Sequence, residues 1–383
     1  MKAKYLNNIM ERNASKLPCL NNIKPQMQLS FVPYGSILRP EPGKLALDVG
    51  NRLCPGIVDH HQPNSEKECA TSLVLRYPNY IIDHLKGYTL DAVTFVTHIM
   101  PDLDAVTSVY FSYALLTKGH FPSYAENIAH YVRDIDMGIF FSHSGRIVSV
   151  YSIFIGICEL IRSEAEKNNW PEDRIYKKRV KCGFALWEYV ISEMDNNTDL
   201  HDFSTFDLPN PFQDAIELLR NDYLIYLEDL KKSREIQNAI PYKDKKKSHV
   251  VDSIIIKNPK SLLFRFWARS DYSKSSRGKG FIMLAVNYDD NRYIISVDPR
   301  SPFYLKGLGD MLEEAETEKR KLLSKERQGE IRSGYSSPDP WYDGRNSLHN
   351  FTIIDTPRGG TVLTQHEIQM VIDKYCSINS SNL

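Results

Sequence analysis

The chain lacks the features of secreted and membrane-spanning proteins. Its six cysteines are scattered at positions 19, 54, 69, 158, 182 and 376, so neither a disulfide framework nor a cysteine-based zinc site is indicated. The longest apolar run, 147–161, is too short to span a bilayer and contains polar residues. The first 30 residues include no long apolar stretch typical of a secretory signal. We therefore expect a cytoplasmic protein with reduced thiols.

The chain also lacks net charge, because 48 lysine and arginine residues balance 48 aspartate and glutamate residues. This balance conceals a local excess of basic residues. Residues 231–280 contain 14 basic residues against 4 acidic ones, so the remainder of the chain carries the opposite excess. A basic block of this kind can attract a polyanion such as nucleic acid. The lysine-rich run 243–247 within it is equally well explained as a solvated linker.

Three short segments end in residues that bind metals in other proteins. The segments 45–48, 57–60 and 91–97 are apolar and short, which predicts buried strands. They lead to Asp48, His60 and His98, respectively. A helix is predicted to begin near Asp102, since the apolar run 105–116 follows and aspartate is favoured in a first turn. Because open α/β sheets bind ligands at the carboxyl ends of their strands, we expect these side chains to converge.

Six side chains in this stretch form a mixed set of imidazoles and carboxylates. They are Asp48, His60, His98, Asp102, Asp104 and Asp136, with Asp134 as a further ligand or a supporting residue. The mixture suits a divalent first-row metal with octahedral preference, manganese before zinc. Each motif alone has a plainer explanation, such as a surface loop or a helix start that complements the helix dipole. Their occurrence together between positions 48 and 136 favours a metal site.

These residues resemble the motifs of the DHH phosphoesterase superfamily. His98, Pro101, Asp102, Asp104 and Ala105 resemble its first motif, Asp48 its second, Asp59, His60 and His61 its third, and Asp136, Gly138 and Phe140 its fourth. The segment 66–76 is similar to the helix that follows the paired histidines in that family. The motif order differs, because the first motif here follows the second and third. A parallel sheet tolerates such a permutation, since only the convergence of strand ends matters.

The resemblance implies a two-metal phosphoesterase that binds two Mn²⁺ ions, with Mg²⁺ as an alternative. In that family pattern, Asp48 bridges the two ions and the remaining ligands divide between them. His98 and Asp102 would complete one site, and His60, Asp104 and Asp136 the other. Asp59 would accept the second ring N–H of His60, and His61 would contact the scissile phosphate. A water activated between the metals would attack phosphorus.

The fold class expected is α/β. We predict an N-terminal lead-in at 1–43, then a parallel-sheet, DHH-like catalytic domain at 44–230 whose helical portion is 146–230. A basic linker at 231–249 would lead to a smaller α/β substrate-binding domain at 250–383. In that domain, β-rich runs predict strands and a charged periodic run predicts a helix. The strands are expected at 250–256, 262–268, 280–286, 292–297 and 351–355, and the helix at 304–327.

Arginines and glycines of the C-terminal part are candidates for holding a phosphate. Adjacent glycines let main-chain N–H groups approach a phosphate, and an arginine fork matches its oxygens. The substrate-binding candidates are Arg265, Arg269, Arg345, His349, Arg358, Gly359 and Gly360, with Trp341 or Tyr342 as a platform for a base. The Arg358–Gly360 run resembles a divergent form of the glycine-rich loop of DHH proteins. For each residue singly, a structural role remains equally open.

The function expected is hydrolysis of phosphodiester bonds in short oligonucleotides or nucleotides by an exonuclease-like, manganese-dependent enzyme. One alternative is a pyrophosphatase-like phosphoanhydride hydrolase. Another is a non-catalytic module that binds nucleic acid or a partner and uses the metal site only for stability. The expected partner is a phosphate-containing substrate rather than a membrane, and the sequence leaves the oligomeric state open.

Overall fold

A computed structural model describes residues 27–140, 149–241, 248–289, 291–328, 331 and 334–380. The lysine-rich run 243–247 and Asp290, which lies between the predicted strands 280–286 and 292–297, are outside the described residues. The chain divides into two compact units. The first comprises Met1–His60, Cys69–Asp136 and Arg146–Asn221, and the second comprises His61–Glu68, Met137–Gly145 and Asp222–Leu383. Among the described residues, no helix combines the length and apolar character needed to cross a membrane.

A five-stranded sheet forms the centre of the first unit. Its strands are β1 (Gln28–Val32), β2 (Lys44–Leu47), β3 (Leu53–Cys54), β4 (Ile57–Val58) and β5 (Thr94–His98), in the order β1-β5-β2-β4-β3. All neighbouring pairs are parallel except β3 with β4. Four strands therefore present their carboxyl ends at one edge. The prediction of a mixed α/β fold with parallel strands is confirmed.

Strand β1 lies within the segment 1–43 that was predicted to be a lead-in. It pairs in parallel with β5, and Val32 lies opposite His98 at the end of the register. Only Leu29 of its five residues is buried. Such weak burial explains why the hydrophobic pattern of this edge strand does not stand out in the sequence. The segment after Val32 therefore also leads from a strand end to the edge where the candidate ligands lie.

Helices provide the rest of the first unit. They are α1 (Ala70–Arg76), α2 (Pro78–Ile82), α3 (Leu103–Lys118), α4 (Ala125–Asp136), α5 (Val150–Asn168), α6 (Glu172–Glu193) and α7 (Gln213–Leu230), whose last residues belong to the second unit. Asp102 caps α3, because its carboxylate accepts a hydrogen bond from Ala105 N at 3.0 Å. Gly119, at φ 75°, ends the same helix in the left-handed conformation. The predicted helix at 105–116 is confirmed.

Helices α3 and α6 approach each other closely at a glycine. A Cβ atom added to Gly183 would lie 2.3 Å from Val106 Cγ1, well inside van der Waals contact. Nearby, Trp187 Nε1 donates to Thr107 Oγ1 at 2.8 Å, in the buried interior. The absence of a side chain at position 183 thus allows α6 to reach the helix that carries Asp102 and Asp104.

Replacing Gly183 with alanine should reduce the free energy of unfolding by about 1–3 kcal/mol, the usual cost of overpacking a dense core. Urea-induced unfolding followed by circular dichroism would measure it. Truncating Val106 to alanine in the same protein removes the clashing methyl group. The double variant should therefore lose less stability than the sum of the two single variants. Additive losses would contradict the close contact.

The second unit also contains a five-stranded sheet. Its strands are β6 (Arg234–Pro241), β7 (Ser248–Lys257), β8 (Met283–Asp289), β9 (Arg292–Val297) and β10 (Ile353–Asp355), in the order β10-β9-β8-β7-β6. Only β7 and β8 run parallel. Helices α8 (Phe264–Ser270), α9 (Leu308–Leu322) and α10 (Gln365–Ser380) complete the unit. Leu308, Trp341 and Ile372 belong to its apolar core.

Two predictions for this region are wrong. Residues 234–241 of the predicted linker 231–249 form β6, which pairs along its whole length with β7. The run 262–268, predicted as a strand, lies mostly in helix α8. The physical reason is Asp222, whose buried carboxylate accepts from the main-chain N–H groups of Leu262 and Leu263 at 2.7 and 3.0 Å. A carboxylate that is distant in the chain thus accepts hydrogen bonds from N–H groups at the helix start. No local sequence pattern reveals this contact.

Candidate metal centre

The six predicted ligands converge at the carboxyl edge of the first sheet. Asp48 follows β2, His60 follows β4, and His98 is the last residue of β5. The other three ligands come from helix ends: Asp102 and Asp104 from the start of α3, and Asp136 from the last position of α4. Asp48 adopts φ 58°, a left-handed conformation that turns the chain immediately after the strand.

Asp48 lies between the two histidines. Its Oδ1 atom is 3.2 Å from His60 Nε2, and its Oδ2 atom is 3.2 Å from His98 Nε2. Asp48 is only 3% exposed and both histidines are buried as well. One carboxylate therefore presents a separate oxygen to each imidazole.

Each histidine is also close to further carboxylates. His98 Nε2 is 3.6 Å from Asp102 Oδ2, and with Asp48 these residues form the His98 trio. His60 Nε2 is 3.8 Å from Asp104 Oδ2 and 3.5 Å from Asp136 Oδ2, which defines the His60 trio. Within each trio the candidate ligand atoms lie within 4.8 Å of one another. These buried groups could hold a metal ion.

The spacing within the centre suits shared coordination better than direct hydrogen bonding. Two ligands about 2.1 Å from the same octahedral ion lie about 3.0 Å apart when adjacent and about 4.2 Å apart when opposite. The distances from the two histidine Nε2 atoms to the surrounding carboxylate oxygens fall between 3.2 and 3.8 Å. Charge-assisted hydrogen bonds are shorter, about 2.7–2.9 Å. The donor set therefore fits a divalent cation.

The ring of His98 is held in the tautomer that metal binding through Nε2 needs. Its Nδ1 atom donates to the carbonyl oxygen of Ile99 at 2.8 Å, because a carbonyl can only accept. In the neutral ring, the lone pair then lies on Nε2, which faces Asp48 and Asp102. Tyr34 packs flat against the ring, with the centroids 4.1 Å apart and the planes at 26°. Both contacts restrict rotation of the imidazole.

Main-chain amides fix two of the carboxylates. Asp104 accepts from Ala70 N at 2.7 Å and from Thr71 N at 2.8 Å, so the amino end of α1 holds this side chain. Asp59 accepts from His60 N at 2.7 Å and thereby stabilises the backbone of the paired histidines. The predicted bond from the His60 ring to Asp59 stays a prediction. Hydrogen bonds from the backbone thus hold the carboxylates of Asp59 and Asp104 in position.

Crowding of the carboxylates perturbs the acid–base properties of the centre. Burial, together with the charge of Asp48, raises the pKa of Asp104 to about 6. Burial likewise holds the pKa of Asp136 well above its usual range, with Asp104 adding to the effect. Burial alone would lower the pKa of His60 and His98, but nearby carboxylates outweigh it and raise both well above the usual range. Without a cation, the centre therefore retains protons near neutral pH.

Asp134 lies apart from the trios. Its Oδ2 atom is 3.6 Å from His201 Nε2, and its side chain is 32% exposed. The two acidic residues of α4 thus have different surroundings, since Asp136 lies next to His60. This placement favours Asp136 over Asp134 as the ligand from α4.

Sequence reasoning missed two residues beside the centre, Tyr34 and Arg179. Tyr34 follows β1, so the signal that could have identified it was the recognition of a fourth parallel strand ending at the same edge. Its hydroxyl donates to Met100 O at 3.2 Å. Desolvation of the hydroxyl raises the pKa of Tyr34 to about 12, although the residue as a whole is 40% exposed. Arg179 comes from the middle of α6, and its charge acts on Tyr34 and Asp102. No local pattern singles out this arginine.

In the second unit, two predicted phosphate-binding arginines are engaged within the protein. Arg269 is 4% exposed and donates to the carbonyl oxygens of Phe281 and Ser296, the former at 2.7 Å. Burial lowers the pKa of its guanidinium to about 9. Arg345 makes a two-pronged contact with Asp343, with both N···O distances at 2.7 Å. Both guanidinium groups thus stabilise the second unit, and contacts between them and a substrate stay predictions.

The predicted glycine-rich loop is closed by a carboxylate of the same unit. Asp339 accepts from Arg358 N at 2.6 Å and from Gly359 N at 2.9 Å. Arg320 donates to the carbonyl oxygen of Gly360 at 3.0 Å. Of the two glycine amides predicted to approach a phosphate, that of Gly359 thus already binds a carboxylate, and that of Gly360 donates to Pro357 O at 2.8 Å. The Arg358 side chain is exposed.

The other candidates of this unit differ in exposure. Trp341 is only 1% exposed and packs in the core, which removes it as a platform for a base, whereas Tyr342 is half-buried. Arg265 is half-buried on α8, and His349 is buried. His61 begins the segment His61–Glu68 of this unit. Substrate contacts by these residues stay predictions.

No family model matches the chain, and no curated protein matches it. Function is therefore inferred from the side chains of the centre and their geometry.

Proposed function

We propose that the chain is a divalent-metal-dependent phosphoesterase of the DHH type. The observation that carries the proposal is the position of Asp48, whose two oxygens lie 3.2 Å from Nε2 of His60 and of His98. One carboxylate shared by two histidine–carboxylate trios would suit two adjacent cations. Carboxylate-rich sets with imidazole favour manganese, with magnesium as the alternative.

In this proposal, Asp48, His98 and Asp102 would hold one ion, and Asp48, His60, Asp104 and Asp136 the other. A bound pair of ions would supply a water of lowered pKa and neutralise charge on phosphate oxygens. The chain's own contribution is orientation. Ile99 O and Tyr34 fix the His98 ring, and the α1 amides fix Asp104. We propose that His61 contacts the scissile phosphate and that Asp59 orients His60.

The exposure of the ligands favours catalysis over a purely structural metal site. The Asp102 side chain is 50% exposed, and that of Asp136 is 18% exposed, whereas His60 and His98 are buried. A structural site is usually closed by its ligands, while a catalytic site keeps a position open for water or substrate. The partial exposure of Asp102 supplies such an approach.

The substrate class that we propose is short oligonucleotides or nucleotides. The support is the basic excess of residues 231–280, where 14 basic residues stand against 4 acidic ones in the sequence. Such a region favours polyanions over a small anion such as pyrophosphate. We expect the Mn²⁺-loaded protein to cleave dinucleotides and short single strands faster than pyrophosphate. Rates on a panel of these compounds, cyclic dinucleotides and bis-p-nitrophenyl phosphate test this, and the reverse ranking would contradict it.

The two acidic residues of α4 provide a matched pair of variants. Asp136→Asn should lower the hydrolysis rate by about 100-fold and weaken Mn²⁺ binding, because a ligand of the His60 trio loses its charge. Asp134→Asn, two residues earlier on the same helix, should retain both within about twofold. Equilibrium dialysis and steady-state rates give the comparison. Equal losses in the two variants would contradict the assignment of Asp136.

A further inference from the structure

Arg179 is a nearly buried cation with weak hydrogen-bond partners. Its side chain is 9% exposed on helix α6. Its Nε atom donates to Cys158 Sγ at 3.1 Å, and Nη1 donates to Met100 Sδ at 3.3 Å. Both acceptors are sulfur atoms. Within the described part of the chain, no carboxylate lies within ion-pair distance of this guanidinium.

This environment is unusual for a guanidinium. Buried charges are normally paired with an opposite charge, because an unpaired charge removed from water loses a large hydration free energy. Thiol and thioether sulfurs are weak acceptors and do not supply that opposite charge. Arginines used only for packing can extend the charged group into water. The guanidinium group of Arg179 instead stays within the first unit, next to the metal centre.

The position of Arg179 relates it to the His98 trio. Met100, which accepts from its Nη1, lies between His98 and Asp102 in the chain. The carbonyl oxygen of Met100 accepts from Tyr34, whose ring stacks on His98. The charge of Asp102 also acts on Arg179. The guanidinium is therefore placed beside the more exposed of the two trios, where Asp102 leaves the centre accessible.

We propose that Arg179 binds a non-bridging oxygen of the substrate's phosphoryl group on the Asp102 side of the centre. The proposal rests on the proposed function, which supplies the phosphoryl group. A phosphate oxygen gives the guanidinium the anionic acceptor that the two sulfurs do not provide. Helix α6, which contains none of the motifs that resemble the DHH family, would thereby take part in substrate binding. Arg179 would thereby select for phosphoryl oxygens rather than neutral ligands.

The test is calorimetric titration of inorganic phosphate into the full-length, Mn²⁺-loaded protein. We expect Arg179→Gln to weaken phosphate binding by about 10–100-fold, the usual value of a charge-assisted contact. Arg179→Lys should recover part of the affinity because it retains the charge. Arg174→Gln is the matched control, since Arg174 is exposed on the same helix and packs over Trp170. It should bind phosphate as the unaltered protein does.

Mn²⁺ binding and thermal melting of each variant separate phosphate binding from other roles. Unchanged phosphate affinity in a folded Arg179→Gln protein overturns the proposal. So does weaker Mn²⁺ binding with normal phosphate affinity at saturating Mn²⁺, because Arg179 would then only position Asp102. If Arg179→Gln fails to fold, Arg179→Lys decides through the same titration. Arg179-dependent phosphate binding in a protein without hydrolytic activity supports phosphate recognition and overturns only the proposed function.

Discussion

Replacing Asp48 with asparagine should lower the rate of phosphodiester hydrolysis by about 10³-fold or more. The expected cause is loss of the shared ligand, since metal stabilisation of charge contributes several kcal/mol and each ~1.4 kcal/mol is worth about tenfold in rate. Asparagine keeps the size of the side chain and tolerates the left-handed φ of 58° at this position. The change therefore removes charge without imposing strain on the turn after β2.

The number of bound Mn²⁺ ions tests the role of Asp48 without relying on an activity assay. The unaltered protein should bind two Mn²⁺ ions per chain, and Asp48→Asn should bind at most one with useful affinity. Asp83→Asn, an exposed change in the same unit, is the control and should bind two. Steady-state rates and equilibrium dialysis measure the two effects. An Asp48→Asn protein with full activity and two bound ions would contradict the bridging role.

The second large effect concerns stability and pH. Mn²⁺ should raise the melting temperature by about 10 °C at pH 8, because ligand present at about 1,000 times its dissociation constant stabilises by about 4 kcal/mol. The increase should be much smaller at pH 5.5. Protons on the carboxylates and imidazoles compete with the ions there, so metal affinity falls as the pH falls.

In the metal-free protein, the contribution of these groups to stability should instead fall as the pH rises. The pKa of Asp104 is raised to about 6, so its contribution to stability is present below its unfolded pKa of about 3.9 and is lost as the pH rises through 6. His60 and His98 also have raised pKa values, so their contribution is present below about 6.5 and is lost as the pH rises through the higher folded values. In EDTA, the contribution of the centre therefore declines from pH 5 towards pH 8.

Melting curves at both pH values, with EDTA and with Mn²⁺, measure these opposed trends. Asp48→Asn should reduce the Mn²⁺-dependent increase at pH 8, whereas Asp83→Asn should leave it intact. A metal-dependent increase that is equal at pH 5.5 and pH 8 would contradict a centre built from buried, proton-retaining ligands.

Much of the candidate centre could be predicted from the sequence, because its residues follow strand ends. In a parallel sheet, the strand ends of one edge meet regardless of their order along the chain. The strand pattern alone therefore groups Asp48, His60 and His98. The distances among them could not be predicted in this way, since they depend on the turn at Asp48 and on the start of α3.

The residues that sequence reasoning missed are positioned by tertiary contacts. Tyr34 follows an edge strand in which only Leu29 is buried, so the hydrophobic pattern typical of a strand is weak there. Arg179 lies in a long helix whose periodicity indicates packing and gives no sign of the buried charge. Its contact with Met100, 79 positions earlier in the chain, is a tertiary contact that helix periodicity does not reveal.

The second unit was harder to predict for a related reason. The start of helix α8 is stabilised by Asp222, about 40 residues earlier in the chain. The glycine-rich sequence at Arg358 suggests amides open to a phosphate, but Asp339 accepts from the amides of Arg358 and Gly359. In both cases a distant carboxylate satisfies main-chain N–H groups, and only the folded chain shows which carboxylate does so.

The most direct measurement is anomalous scattering from crystals of the protein grown with Mn²⁺. We expect two peaks about 3.5–4 Å apart, the usual spacing in two-metal sites, one beside each of His60 and His98. Asp48 should contact both peaks through its two oxygens. A single peak outside the two trios, or Asp48 turned away from both histidines with no ion between them, would contradict the shared-carboxylate centre.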